Sequence, residues 1–548
     1  MSQIHLARRG AHLFLGVLLC ALTLPPAVEA ASYHLDPILL NYWTQPSLQF
    51  ANANKIAVGS FNHLHAVFAN QDPFSAISDI IYAHFDPLDP WGWYEDYATS
   101  DGLSSEPALA VDSNGLAVMV WVTRPSAASS LGTIYYRHQT TLNCANCWST
   151  PPQPVVFLGA EPSLAAWGGQ VYLTWTTRDR VQFTSFPRAS PPAMPLWLGE
   201  VVDSTNCPNT RFHQPSVAFT QPPCQSVNLK VAALFTSNEQ STVGPCQDAD
   251  THVGPRVYER DGSTLVWSTV FQDVVSDSTP SQPEPVAVAL SFNANRVTGD
   301  YYLAWSDEQA GAPRTSLGHG KGLLWDTPFL VDNVRHHVHT AVKRGAPTGD
   351  FRLAVSGEGW STGTYKRTGT WSGGSMSWTG WTGIAAPPYT LIGHPQAFYW
   401  SRCAAGQFSE RAVYTEASDG TPTSPPTEVA TGLFQNSPCP PVGLGPVIAL
   451  PDCFQTRATI GQMVLSGKSV VLVDFGETAV VTRVSETGAE ITSLSGGTIQ
   501  ATWQPGEVLS SWENGFVVAT SRDSVRFSSK DVKLEVEDLG LIGNQGKK

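Results

Sequence analysis

Two aromatic stretches hold the side-chain types that grip sugars. Asp89-Pro-Trp91-Gly-Trp93-Tyr94-Glu95-Asp96-Tyr97 sets Trp and Tyr rings among carboxylates. Flat rings stack on sugar faces and carboxylates accept hydroxyl hydrogen bonds. Trp91, Trp93, Tyr94, Glu95 and Asp96 are therefore candidate ligand residues. Trp371-Ser-Gly-Gly-Ser-Met-Ser-Trp378-Thr-Gly-Trp381 is a second such stretch, with Trp378 and Trp381 on what reads as an open loop. In both stretches core packing of the rings is the competing reading. His336-His337-Val338-His339 offers metal chemistry. Two imidazoles two residues apart on a strand share a face, so His337 and His339 could hold an ion with Asp332 as a third ligand, against a purely structural role. No Gly-x-Ser-x-Gly elbow, His-Glu-x-x-His helix or phosphate loop occurs, and no cofactor is expected.

The cysteines point to an oxidising compartment. Beyond Cys20, which lies in the leader, eight remain: Cys144, Cys147, Cys207, Cys224, Cys246, Cys403, Cys439 and Cys453. An even number in an exported chain favours disulfides. Cys144 and Cys147 suit a tight local bridge, a zinc half-site or redox pair being the alternatives. The other six fall into two groups of three whose pairing spacing does not fix. Arg8 and Arg9, the apolar run Leu13–Leu24 and the small residues around Ala30 read as a signal peptide over residues 1–30. The mature protein is expected to be secreted, periplasmic or on the cell surface. No later stretch is apolar enough to span a bilayer. The formal charge of −14 argues against nucleic acid and anionic membranes as partners.

The elements that must position these residues are announced by a repeat. Glu-Pro107-Ala-Leu-Ala-Val, Glu-Pro162-Ser-Leu-Ala-Ala and Gln-Pro215-Ser-Val-Ala-Phe are copies of one phrase. Further copies open at Pro46, Pro285 and Pro395, and a disguised one near His339. The period is roughly 55 residues, in the range of propeller blades. After the phrase comes a Gly or Asn turn, then a strand ending in an aromatic (Trp121, Trp175, Phe235, Trp305), then an alternating strand such as Ile134-Tyr135-Tyr136-Arg137. A fourth strand begins near Trp-Ser-x-Pro, as at Trp148. Four short antiparallel strands per unit make a blade, and stacking blades in a ring buries both faces of each. The proline is expected just before the first strand, where no ladder donor is needed.

The expected fold is thus an all-β propeller of four-stranded blades, seven favoured over six or eight, spanning residues 31–445. Residues 446–540 are β-rich and form extra blades or an appendage, and 541–548 a loose tail. Asn62-His63-Leu64-His65-Ala66-Val67-Phe68, Ile134-Tyr135-Tyr136-Arg137 and the Trp-Ser-x-Pro signals resemble the sialidase-like, Asp-box (BNR) propellers over roughly residues 45–445. Ser418-Asp419-Gly420-Thr421 and Arg260-Asp261-Gly262-Ser263-Thr264 echo the Asp box without its aromatic. The Arg-Ile-Pro motif of sialidases is absent, Phe186-Pro187-Arg188 being a different order. The resemblance therefore implies the propeller but not the sialidase reaction. The arginines at 124, 178, 180, 188, 211, 256 and 296 could converge only through folding. A non-catalytic module binding a glycan or a protein surface is the expected function. A glycoside hydrolase or lyase working in the axial funnel, and a structural surface protein, are the alternatives.

Overall fold

The computed structural model describes residues 38–41, 52–71, 78–85, 93–142, 147–207, 210–220, 227–237, 251–261, 264–273, 275–277, 289–295, 299–309, 312–332, 335–342, 351–359, 363–372, 375–380, 382–383, 396–400, 409–416, 428–432, 455–465, 467–476, 478–493, 497–512, 514–529 and 532–541. Every regular element among them is a strand, apart from two 3-10 turns at Ser60–Asn62 and Arg522–Ser524.

The strands follow one another as antiparallel units. Blade I comprises Ile56–Val58, Leu64–Gln71, Ser78–Phe85 and Trp93–Tyr97. Blade II comprises Ser104–Val111, Ala117–Thr123, Gly132–His138 and the first half of Gln153–Trp167. The second half of that long strand opens blade III, continued by Gln170–Thr176, Arg180–Pro187 and Glu200–Ser204. Blade IV starts at Thr210–Thr220, blade V at Ala289–Asn295, blade VI at Arg335–Val342 and blade VII at Gln396–Trp400. The first strands neighbour one another in order, and that of blade VII lies against that of blade I, so the circuit is closed. Ile38–Asn41, from the start of the chain, supplies the outer strand of blade VII by pairing with Glu428–Gly432. The fold is an all-β propeller.

Apolar burial between blades holds the ring. One cluster joins Val67 and Tyr82 of blade I to Leu109, Met119 and Trp121 of blade II. Others join Val118 and Val120 of blade II to Leu164 and Trp175 of blade III, and Leu234 and Val257 of blade IV to Leu290 and Trp305 of blade V. Trp121, Trp175 and Trp305, the aromatics that end the second strands, are fully buried. An outer-strand tryptophan joins in, since Trp325 of blade V stacks on Phe271 of blade IV with ring centroids 4.8 Å apart. Trp325 lies flat over Gly320 of the neighbouring strand, where an added Cβ would sit 2.5 Å from its ring. Gly320→Ala is expected to push Trp325 off its seat and lower stability by about 1–3 kcal/mol, checked by thermal melting of the purified chain.

Three prolines of the repeat are not strand openers, while Pro46, Pro285 and Pro395 lie outside the described residues. Pro107, Pro162 and Pro215 lie inside the first strands of blades II, III and IV. In each, the proline and the residue before it form a bulge that shifts the register against the second strand. The missing N–H falls where the ladder is already broken, which is why proline is tolerated mid-strand. The first described strand of blade I begins at Ile56.

Residues 455–541 make two further sheets. Glu507–Trp512, Gly515–Ala519, Lys468–Asp474, Gln455–Leu465 and Lys533–Leu541 form one, and Ala479–Ser485, Gly488–Ser493, Thr498–Thr502 and Arg526–Ser529 the other. Between them lies a separate core that includes Val471, Val473, Ile491, Ile499, Trp503 and Phe516. Two sheets facing one another across a core make a sandwich.

Candidate functional site at the axial mouth

The residue before each bulge proline carries a left-handed backbone: φ is 53° at Glu106, 51° at Glu161 and 49° at Gln214. Such angles are uncommon for residues with a Cβ and mark positions fixed by their surroundings. Here the cause is a chain of contacts between blades. The Glu161 amide donates to Glu106 Oε2 at 2.6 Å. The Gln214 amide donates to Glu161 Oε2 at 2.5 Å. The Leu290 amide donates to Gln214 Oε1 at 3.1 Å. Each bulge side chain thus accepts an N–H from the next blade, making a polar belt from blade II to blade V.

The axis inside the belt is occupied by the segment that leads into blade I. The Asn52 side-chain amide donates to the Glu161 carbonyl at 3.1 Å and the Pro215 carbonyl at 2.8 Å. Its backbone carbonyl accepts from Ser163 Oγ at 3.1 Å and Ser216 Oγ at 2.6 Å. Lys55, buried beside it, donates to the Pro107 carbonyl. Burial pulls the Lys55 ammonium down to about 7, opposed by the Glu106 carboxylate.

Charged groups rim this plug. Arg124 pairs with Glu106 and also donates to Ser105 Oγ. Burial raises the Glu106 carboxyl, Arg124 opposes this, and the like charge of Glu161 adds to it. His213 Nδ1 stands 3.6 Å from Glu161 Oε1 and is 42% exposed. Arg178 follows its strand as Arg124 follows the preceding blade's, in Trp175-Thr-Thr-Arg178 and Trp121-Val-Thr-Arg124. Arg178 is exposed, has φ 76°, and its guanidinium meets no partner among the described residues. Its carbonyl accepts the Phe212 amide at 2.9 Å, which sets it beside blade IV. What the arrangement offers is a fixed polar cup with donors on its lip.

The other described arginines have partners of their own. Arg188 pairs with Asp112 at 3.0 Å and donates to the Gln139 carbonyl at 2.7 Å, at the opposite pole. Arg256 pairs with Asp203 at 3.2 Å, Arg180 with Asp179 at 3.5 Å, and Arg211 donates to the Thr210 carbonyl. Arg296 lies outside the described residues.

The residues singled out from sequence are dispersed. Trp93, Tyr94, Glu95 and Asp96 belong to the outermost strand of blade I, paired with Ala83–Phe85 and Tyr82, away from the axis. Trp91 and Trp381 lie outside the described residues. Trp378 is on the fourth strand of blade VI, half-buried, its ring against Gly369 as Trp325 is against Gly320. Asp332 ends an outer strand of blade V, while His337 and His339 are on the first strand of blade VI. The register shift in that strand falls between His336 and His339. It places His337 at the position that Glu106, Glu161 and Gln214 hold in their blades, and it interrupts the simple alternation behind the proposed metal pair. Cys147 and Cys207 each belong to a disulfide. Cys144, Cys224, Cys246, Cys403, Cys439 and Cys453 lie outside the described residues. The belt residues were not singled out, although the recurring Glu or Gln before proline was their signal.

No family model matches the chain, and no curated protein matches it. Among solved structures it is similar to a polysaccharide lyase, the PL25 ulvan lyase, with 10% identity over 72% of this chain and 95% of that one, at a TM-score of 0.46. It is also similar to the NanB sialidase of Streptococcus pneumoniae (9% identity, 72% and 69% covered, TM-score 0.34). A third is the β-propeller domain of the Trilobed protease from Pyrococcus furiosus (11% identity, 67% and 92% covered, TM-score 0.34). No helix of the described residues is long and apolar enough to cross a membrane.

Proposed function

We propose that the protein is an exported recognition module that binds its ligand at the axial mouth without carrying out chemistry there. The supporting observation is the state of the two carboxylates. Glu106 has one oxygen on Arg124 and the other on the Glu161 amide, and Glu161 holds the Gln214 amide beside His213. A general acid or a nucleophile needs an oxygen able to reach the substrate. Both acids are instead engaged in joining blades, whereas Arg178 presents its guanidinium to solvent. A glycan, rich in hydroxyl acceptors, is the ligand class that suits a fixed polar cup; a polar protein loop is the second.

A glycan array and a pull-down with the intact chain test this. Arg178→Ala is expected to weaken the ligand found by about tenfold or more, the size of one lost charged hydrogen bond, with the melting temperature unchanged. An empty array together with an empty pull-down, or equal binding by the variant, would sink the proposal. The hydrolase or lyase reading draws on one observation, the raised Glu106 carboxyl beside a second carboxylate. Turnover of any glycan that is lost in a folded Glu106→Gln variant would favour it.

A further inference from the structure

The sandwich touches the ring through a small element. Among the described residues, its main contact with the propeller is between the Ser60–Asn62 turn of blade I and the strands Lys468–Asp474 and Gly515–Ala519. Phe61, at the tip, has φ 55° and is 1% exposed. Its ring packs with Val470, Leu472, Val517 and Trp512, meeting the indole edge-on at 6.2 Å between centroids. Those residues face away from the sandwich core, since Val471 and Val473 alternate with them and point into it. Asp474, 3% exposed, accepts the Phe61 amide and, at 2.7 Å, the Gly476 amide. Gly115 of blade II braces the turn from behind: a Cβ there would overlap Ser60 Oγ.

We propose that the sandwich is a detachable cap, held on the propeller among the described residues chiefly by this latch: Phe61 seated in the apolar socket and Asp474 capping the turn. A strained residue buried in another body is a contact that loses its whole socket when it withdraws, so the two bodies separate without either core opening. Asp474 tunes the latch. Burial raises its carboxyl to about 6, and the groups facing it are the Gly476 and Phe61 amides and the Ser60 hydroxyl. No cation is among them. Ionisation in the docked state is therefore unfavourable, and seating tightens as pH falls from about 6 towards 4. The turn also runs into His63, whose Nδ1 lies 2.9 Å from His84 Nε2 with His65 alongside. Burial keeps His63 and His65 neutral, so their titration acts in the opposite sense.

Hydrogen exchange and small-angle scattering on the full chain test the latch. In Phe61→Ala, the amide at position 61, which Asp474 accepts across the contact, is expected to exchange at least tenfold faster and the radius of gyration to grow, with amides of the paired strands Lys468–Asp474 and Gly515–Ala519 and of blades III–V unchanged. Unchanged exchange, or faster exchange spread through the blades as well, would overturn the proposal, the second by showing one cooperative body. Asp474→Asn keeps an acceptor but cannot ionise. The ratio of wild-type to Asp474→Asn seating is expected to change by up to about a hundredfold between pH 4 and 7, two pKa units' worth, free of the histidine contribution common to both. A constant ratio would remove Asp474 from the latch.

Discussion

Replacing Glu161 by alanine is expected to lower the stability of the chain by about 2–4 kcal/mol, while glutamine at the same position costs about 1 kcal/mol or less. Glu161 is the middle link of the belt: it donates to Glu106, accepts from Gln214 and offers its carbonyl to Asn52 in the axis. Alanine takes away the acceptor for the amide of Gln214, a residue only 6% exposed, and leaves a buried donor unsatisfied. Backbone strain is not the source of the loss, because alanine and glutamate meet the same Cβ limits at positive φ. Glutamine retains the acceptor, and blade IV already shows that an amide side chain works there, since Gln214 holds the Leu290 amide. It also lifts the like charge that pushes the Glu106 carboxyl up. Urea midpoints at pH 7 decide the matter. A Glu161→Ala loss below about 0.5 kcal/mol, the ordinary range for an inconsequential surface change, would show that the belt carries no load.

Blades I and V should answer acid in opposite directions. Burial pulls the His63 imidazole down to about 3 and His65 well below its usual value, the latter helped by the neighbouring His84 and His63. His65 Nδ1 bonds the Tyr82 hydroxyl at 2.6 Å, which in turn receives the Gln139 amide at 3.1 Å. A lowered imidazole contributes stability that is complete above the unfolded value near 6.5 and is lost as pH falls towards the folded one. Each of these histidines removes about 1.4 kcal/mol per pH unit below 6.5. In blade V burial also disfavours the charged form of His319, but bonds to Asp300 at 3.1 Å and Asp326 at 2.5 Å outweigh it and raise the imidazole. That stability is complete below 6.5 and is lost as pH rises through the raised value. Native-state hydrogen exchange over pH 5–8 should therefore show the Leu64–Gln71 and Ser78–Phe85 strands loosening towards pH 5. The Asp300–Gln309 and Ala312–Lys321 strands should loosen towards pH 8. Parallel trends in the two blades would contradict the buried-neutral and buried-charged assignments.

The ring was legible in the chain because it rests on local patterns. Alternating strands, turn glycines and the tryptophans at 121, 175 and 305 each report burial in their own blade, and their spacing reports the repeat. What the residue before each proline does is not local. Pre-proline residues ordinarily sit in extended backbone, and nothing in Glu-Pro-Ala or Glu-Pro-Ser announces a left-handed Glu106 or Glu161; the cause is the amide of the next blade, about 50 residues on. Asn52, ahead of the first described strand of blade I, serves the axis through partners more than 100 residues away, which no local pattern announces. Dense aromatic and acidic stretches drew attention to Trp93–Asp96, which the sheet order puts on an outer edge. The residues of the mouth come from three blades, Glu106 and Arg124 from II, Glu161 and Arg178 from III, His213 and Gln214 from IV, and only the closed ring brings them near one another.

The strand Ile38–Asn41 completes blade VII by pairing with Glu428–Gly432, partners separated by about 400 residues. Asn52, a few positions later, anchors the axis through blades III and IV. The earliest-synthesised part of the domain must therefore wait, unpaired, until almost the whole propeller has left the ribosome. Such high contact order makes assembly slow and leaves strand edges open to aggregation meanwhile. A chain emerging in the opposite circular order, with Ile38–Asn41 spliced after Gly432, should reach the native state faster than the natural one.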